Sequence, residues 1–213
     1  MNRFITANIA TYSKRKHTID KVITTLINQV DLVRVYYNDY RPEPRKDIKQ
    51  IIGKDITDRG KFSHIDINEI AFTCDDDIIY PPDYVKETLE KLTLYPDHVL
   101  TYHGRKLKGK GLNYYQDHKS HSCLLPLSID TDIDIPGTGV MCFDTNIIIP
   151  ELMEYDRMAD ILMGISCKQK NIPIKILSHK MGWINTINHG ETIYHSCAGN
   201  CETQSNLIDE YFY

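Results

Sequence analysis

Ile70 to Val85 read IAFTCDDDIIYPPDYV. A short apolar run, Ile70-Ala71-Phe72, passes through Thr73 and Cys74 into three consecutive carboxylates, Asp75, Asp76 and Asp77. Ile78 and Ile79 follow, and then Tyr80-Pro81-Pro82, which ends regular pairing and restarts the chain as a helix. Carboxylates crowded against a buried strand repel one another and lose hydration, so they need a compensating partner. A hard divalent cation is one such partner, because Mg²⁺ and Mn²⁺ take oxygen ligands and often share them between one or two carboxylates and substrate phosphates. The carboxyl end of a strand, just ahead of a helix, is also where open α/β sheets bind ligands. The plainer reading of the same three acids is a polar turn with a helix-capping Asp.

Upstream, Arg3 to Ile9 has the β-branched, apolar character of a first strand. It opens into the polar, basic stretch Ala10 to Lys16. Thr18 is expected to cap a helix in which Ile19, Val22, Ile23, Leu26, Ile27 and Val30 recur at helical spacing. Leu32 to Tyr37 is the second strand and ends at Asn38-Asp39. Strand, helix, strand is the signature of a right-handed parallel crossover, which directs attention to the loops 11–16 and 38–41. Asp47 to Ile52 is expected as a short helix, and Asp58 to Phe62 as a turn leading into the acidic strand.

Downstream, Val85, Leu89 and Leu92 predict a helix ending near Tyr95-Pro96, followed by a strand over His98 to Tyr102. Gly104 to Leu112, rich in Lys, Arg and Gly, is expected as an exposed loop. His118 and His121 are read as solvated. Asp130, Asp132 and Asp134 share one face if their segment is extended, which suits a solvated edge. Gly137-Thr138-Gly139 precedes the strand-like Val140-Met141-Cys142-Phe143, and its glycines are expected to let the backbone approach a ligand closely. Met158, Ile161, Leu162 and Ile165 mark one face of a helix with Asp160 in its first turn, where the helix dipole favours the ionised carboxylate. Ile172 to Leu177 is a strand, and 184–213 reads as a loosely structured tail folding over the site.

The 213 residues suit a single domain. A net charge of -4 gives no general basic field for non-specific nucleic-acid binding. There is no apolar run of membrane-spanning length, and MNRFITANIATY lacks signal-peptide architecture, so the expected compartment is the cytoplasm. Of the six cysteines, Cys74, Cys123, Cys142 and Cys167 sit in apolar surroundings and read as core. Cys197 and Cys201 form a close pair without further partners at zinc-site spacing.

NIATYSKR, VYYNDY, DRGKF, FTCDDDIIYPPDY, GTGVMCF, RMADILMGISCKQKNIPI and KMGWI occur in that order from Ile5 to Trp183. Together they resemble the GT-A fold glycosyltransferases, in particular short bacterial or viral members related to the family 2 enzymes. The resemblance implies a single α/β domain over 1–183, with a Rossmann-like, mixed, mostly parallel sheet flanked by helices, and a tail over 184–213 packing on or near the active site. It further implies an inverting, metal-dependent transfer of a sugar from a nucleotide-sugar donor, expected to be UDP-linked, to an acceptor hydroxyl. The acceptor would be a glycan, a lipid-linked glycan or a hydroxylated nucleic-acid base.

In that frame the acids are the DxD motif. Asp77 would bind Mn²⁺ or Mg²⁺, with His179 as a further ligand in preference to His189 or His195, and Asp75 or Asp76 would bind the ribose or the phosphates. Thr11, Tyr12 and Asp39 would hold the nucleoside, with Arg15, Asp58 and Lys61 near the base or diphosphate. Gly137, Thr138 and Gly139 would line the acceptor side, and Asp160 would be the catalytic base. Two other functions fit parts of the pattern. One is a nucleotidyltransferase, although the loop after the first strand lacks the glycines such enzymes use. The other is a catalytically silent nucleotide-sugar-binding module of the same fold.

Overall fold

Alternating β-branched and small residues at the start of the chain form a long strand, Phe4–Tyr12 (β1), and a tight 3-10 turn, Ser13–Arg15, carries it into a helix, Lys16–Leu26 (α1). The computed structural model describes residues 3–111, 113–151, 155–187 and 202–213. Thr18 lies inside α1 rather than at its cap, because the turn brings the helix start forward. Its hydroxyl instead donates to the Arg15 carbonyl at 2.9 Å. Leu32–Asn38 (β2) pairs in parallel with β1, completing the expected crossover.

The segment expected as a short helix is a strand, Lys49–Gly53 (β3), paired in parallel with β2. Five residues ending in Ile51-Ile52-Gly53 are too few for a self-supporting helix, and the open edge of β2 supplies hydrogen bonds that a solvated helix would lack. A 3-10 segment, Thr57–Phe62, then leads to the acid-bearing strand Glu69–Cys74 (β4). After it come a two-residue strand, Ile78–Ile79 (β5), the helix Tyr84–Leu94 (α2) and the strand Val99–Thr101 (β6). The expected basic loop is in part a second small sheet. Gly104–Leu107 (β7) pairs with His118–His121 (β8) and, on its other side, with Ile135–Pro136 (β10). Thr131–Ile133 (β9), Val140–Asp144 (β11), the helix Ala159–Gln169 (α3) and Ile174–Ile176 (β12) complete the main body. Asn185–Thr186 (β13) pairs with β5, and Glu202–Phe212 forms a helix (α4) where a loose tail was expected.

The main sheet runs β3-β2-β1-β4-β11-β6-β12-β9. It is a mixed α/β architecture, parallel from β3 to β4, with β11 inserted antiparallel between β4 and β6. Strand periodicity sorts the core onto two faces. Phe72 and Cys74 of β4, with Val140 and Cys142 of β11, join Ile19, Val22, Ile23 and Leu26 of α1 and Tyr84 of α2. Ala71 of β4 and Met141 and Phe143 of β11 face Met163 and Cys167 of α3. α4 adds Leu207 and Ile208 to a third cluster with Ile161 and Ile165 of α3. Cys74, Cys123, Cys142 and Cys167 are free and buried, as the sequence suggested, whereas Cys197 and Cys201 lie outside the described residues.

The expected solvated edge also carries defined ion pairs. Asp130 meets Lys91 at 2.7 Å, Asp132 meets Lys175, and Asp134 meets Lys106 at 2.8 Å. No helix of the described residues is long and apolar enough to cross a membrane.

At the end of the sheet away from the acidic cluster, Arg34 of β2 forks onto Glu69 of β4, at 2.7 Å and 2.5 Å. Both side chains are only 5% exposed, and the Thr6 hydroxyl also donates to Glu69, at 3.0 Å. Arg34 also reaches Asp66 at 3.1 Å, whereas Glu69 has no second cation among the described residues, so removing Arg34 leaves the Glu69 charge buried and unpaired, at a cost of roughly 3–5 kcal/mol. Arg34→Met should therefore lower unfolding stability by about that amount in denaturant titrations. The double change Arg34→Met with Glu69→Leu should recover most of the loss.

Candidate active site

The three carboxylates emerge from β4 into three different environments. The Asp75 backbone N–H donates to the Gly139 carbonyl at 3.3 Å and to the Tyr80 hydroxyl at 2.9 Å, and that hydroxyl donates to the same carbonyl at 2.5 Å. The Asp75 side chain accepts a charge-assisted bond from Lys61, an ammonium only 4% exposed. Burial alone would lower the Lys61 pKa, but Asp75, Asp58 and Asp160 raise it above the ordinary lysine range, so the cation is retained. Asp77 accepts from Arg15 at 2.9 Å. Arg15 comes from the turn after β1 and Lys61 from the 3-10 segment after β3, so the crossover loops deliver the counter-charges to the acidic strand.

Asp76 turns inward. It is 8% exposed, and its Oδ2 is enclosed without a hydrogen-bond partner. Burial pushes its carboxyl up to about 7, against the opposing pull of the Thr11 hydroxyl and of Arg15.

Asp160 is the second residue of α3, and its Oδ1 accepts from both the backbone N–H of Thr138 at 2.9 Å and the Thr138 hydroxyl at 2.7 Å. The helix start is itself held by Asp58, whose Oδ2 accepts the Ala159 N–H at 3.1 Å and whose Oδ1 accepts the Thr57 hydroxyl at 3.0 Å. Burial raises the Asp58 pKa, and the nearby Asp160 adds to the rise. Asp58 thus has a definite structural task, capping the helix that carries Asp160.

Gly137-Thr138-Gly139 make close approaches to the protein itself. A Cβ on Gly139 would fall 2.0 Å from Asp75 Oδ2, and one on Gly137 would fall 2.7 Å from the His103 ring.

These residues line a cavity of about 390 Å³ at the carboxyl end of β4. Of the residues singled out in the sequence, Asp58, Lys61, Asp75, Asp77, Gly137, Thr138, Gly139 and Asp160 all contribute to its wall. Thr11, Tyr12, Arg15, Asp39 and Asp76 do not line it. They stand at the ends of β1, β2 and β4, where Arg15 reaches across to Asp77. Thr11 is buried beside Asp76 and Tyr40, Tyr12 is exposed with the Arg15 guanidinium 6.0 Å from its ring centre, and Asp39 is exposed with φ at +53°.

The cavity also contains residues that sequence reasoning passed over: His103, Arg105, Tyr114, Tyr115, Cys123 and Gln204. His103 and Arg105 sit at the join of β6 and β7, in the stretch read as the end of a strand and an exposed loop. The run Asn113-Tyr114-Tyr115 held two adjacent aromatics in a polar stretch, a signal that was present in the sequence. Burial draws the His103 imidazole below its ordinary pKa, with Asp160 opposing. From the C-terminal part, Thr186 and Gln204 reach the wall.

His179 is not brought to the acidic cluster. It lines a separate cavity with Asp83, Glu87, Tyr102 and Trp183, and its Nδ1 is 2.9 Å from the Leu177 carbonyl. The short run after β12 turns it back onto the Tyr102 ring, at 5.6 Å between ring centres. His189 and His195 lie outside the described residues. Among the described residues no three His, Cys, Asp or Glu side chains gather as a set that could hold a metal. Asp75 and Asp77 both open onto the cavity and offer hard oxygen donors. That fits Mg²⁺ or Mn²⁺ completed by substrate phosphates and water rather than by a protein cage.

No protein-family model matches the chain, and no curated protein matches it in sequence. In three dimensions it is similar to the crystal structure of S. aureus TarS 1-349 in complex with UDP-GlcNAc, with a TM-score of 0.59 and 12% identity over 96% of this chain. It is also similar to the crystal structure of S. aureus TarS, with a TM-score of 0.52 and 13% identity over 90% of this chain. The chain spans 64% of the first of these and 38% of the second. The likeness establishes the fold as GT-A-like.

The environment of Asp76 gives a pH-dependent expectation. Its folded pKa, about 7, lies above the model-compound value of 3.8. The neutral form is therefore the one the fold prefers, and its contribution to stability is full below the unfolded pKa and lost as pH rises through about 7. Asp76→Asn, which cannot ionise, should match wild type near pH 4 and melt progressively higher than wild type toward about pH 8. Thermal melts across that range check the sign.

Proposed function

We propose that this chain is a glycosyltransferase that moves a sugar from a nucleotide-sugar donor, UDP-linked, to an acceptor hydroxyl with inversion at the anomeric carbon. The observation that carries this reading is the shared cavity of Asp160, Asp75 and Asp77. A carboxylate oriented by two bonds from Thr138 faces the same space as a pair of carboxylates at the carboxyl end of the sheet. The GT-A-like fold adds support, since TarS, of the same fold, is a glycosyltransferase whose crystal structure contains UDP-GlcNAc.

In this mechanism the nucleoside lies at the ends of β1 and β2, near Thr11, Tyr12 and Asp39. Arg15 and Lys61, already paired with Asp77 and Asp75, place positive charge where the diphosphate arrives. When bound by Asp77 and Asp75, a Mn²⁺ or Mg²⁺ ion would neutralise the charge that develops on the departing nucleoside diphosphate.

Asp160 accepts the proton of the acceptor hydroxyl as its oxygen attacks the anomeric carbon from the face opposite the leaving group. The carbon–oxygen bond to the diphosphate breaks, the electron pair leaves on the phosphate, and a single inverted anomer results. Thr138 holds only Oδ1 of Asp160, so Oδ2 is the oxygen assigned to the proton. The acceptor is a glycan, a lipid-linked glycan or a hydroxylated nucleic-acid base.

Asp160→Asn keeps the shape and cannot take the proton. It should reduce transfer by roughly 10²–10⁴-fold while UDP-sugar binding stays within a few-fold of wild type. Activity near wild type would instead leave Asp160 as a helix-terminal carboxylate only, and a retained anomer in the NMR spectrum of the product would reject inversion.

Asp77→Ala tests the cation. UDP affinity measured by calorimetry in Mn²⁺ should fall to the value that wild type shows in chelator. An unchanged metal-dependent affinity would remove Asp77 from the ligand set.

A further inference from the structure

Arg105 is a half-buried guanidinium in the wall of the cavity that contains Asp160. Its Nη1 donates to the Tyr114 hydroxyl at 2.5 Å, and the group lies over the Tyr114 ring at 4.9 Å and near the Tyr115 ring at 6.0 Å. Its Nε is enclosed and has no partner. Among the described residues no carboxylate pairs with it. Lys61, in the same wall, behaves differently, since it is matched with Asp75, and Arg15 behind it is matched with Asp77. The strand itself separates the functions of its basic residues. Successive side chains on a strand point to opposite faces, and Lys106, next along β7, is held outside by Asp134 at 2.8 Å.

Asp160 favours the charged form of Arg105 without pairing with it, so among the described residues the guanidinium fork stays open to an anion, and its geometry matches carboxylate and phosphate oxygens. Arg105 belongs to the small sheet with β10, and β10 packs on α3 so closely that a Cβ on Gly164 would fall 2.6 Å from the Ile135 side chain. The cation therefore stands close enough to Asp160 for that carboxylate to favour its charged form.

We infer that Arg105 binds an anionic group of the acceptor, a phosphate ester or a carboxylate, close to the hydroxyl that Asp160 would deprotonate. The identification of that molecule as an acceptor rests on the glycosyltransferase reading, whereas the anion site rests on Arg105 and its surroundings.

The test measures wild type and Arg105→Gln by calorimetry and thermal shift with four small probes and with UDP. Glycerol 3-phosphate and glucuronate are the anionic probes, and glycerol and glucose are their neutral counterparts. Wild type should bind at least one anionic probe about tenfold more tightly than its neutral counterpart, and the tighter of the two identifies the group as phosphate or carboxylate. Arg105→Gln should abolish the preference and leave UDP affinity within about threefold.

Equal binding of neutral and anionic probes, or a preference that survives Arg105→Gln, overturns the inference. So does a parallel loss of UDP affinity, which would give Arg105 to the donor diphosphate. An Arg105-dependent anion preference in a protein that does not bind UDP would sustain the anion site and reject the donor reading instead. Should Arg105→Gln not fold, Arg105→Lys keeps the charge and removes the fork, and anion binding should weaken about fivefold. Unchanged anion binding in Arg105→Lys would then overturn the inference.

Discussion

Three adjacent carboxylates cannot leave the end of a buried strand as three equal charges. The fold resolves the repulsion by giving each a different fate: Asp75 meets Lys61, Asp77 meets Arg15, and Asp76 is buried with its pKa raised toward neutrality. Each cation belongs to a different crossover loop. The acidic strand therefore depends on both loops being in place, and the loops converge because β1, β2 and β3 run parallel to β4 and end on the same edge. The charge balance and the sheet order are a single constraint viewed at two scales.

The antiparallel strand β11 closes the other side. Its approach, Gly137-Thr138-Gly139, is fastened to the acidic strand by the Asp75 N–H and the Tyr80 hydroxyl, which converge on the Gly139 carbonyl. The middle residue, Thr138, turns to hold Asp160. One tripeptide thus couples the carboxylate pair on β4 to the carboxylate on α3. Glycine is required on both sides of Thr138 because the Asp75 carboxylate and the His103 ring occupy the space a side chain would fill. The close approach that the glycines permit is to the protein's own functional groups.

Beyond this junction the cavity wall comes from elements with little sequence signature. β7 and β8 are short and polar, and α4 contributes Gln204 to the wall while Leu207 and Ile208 anchor it on α3. Such rims vary easily because their strands pair through the backbone and tolerate many side chains. Here the rim presents a guanidinium beside two tyrosines.

The sequence by itself determined the alternation of β1, α1 and β2, the apolar stripe of α1, the acidic end of β4 and the first-turn position of Asp160. Each is a local pattern with a period or a cap that neighbouring residues enforce. It also singled out the acidic and glycine-bearing part of the cavity wall, from Asp58 and Lys61 through Asp75 and Asp77 to Thr138 and Asp160. Only the tertiary structure decided that 49–53 is a strand, because the free edge of β2 outweighs local preference over five residues. Only the tertiary structure sent His179 to a different cavity, through the turn after β12, and brought Arg105 into the site by pairing β7 with β10. Contacts between residues far apart in the chain depend on how whole elements pack, and no residue-level period records that packing.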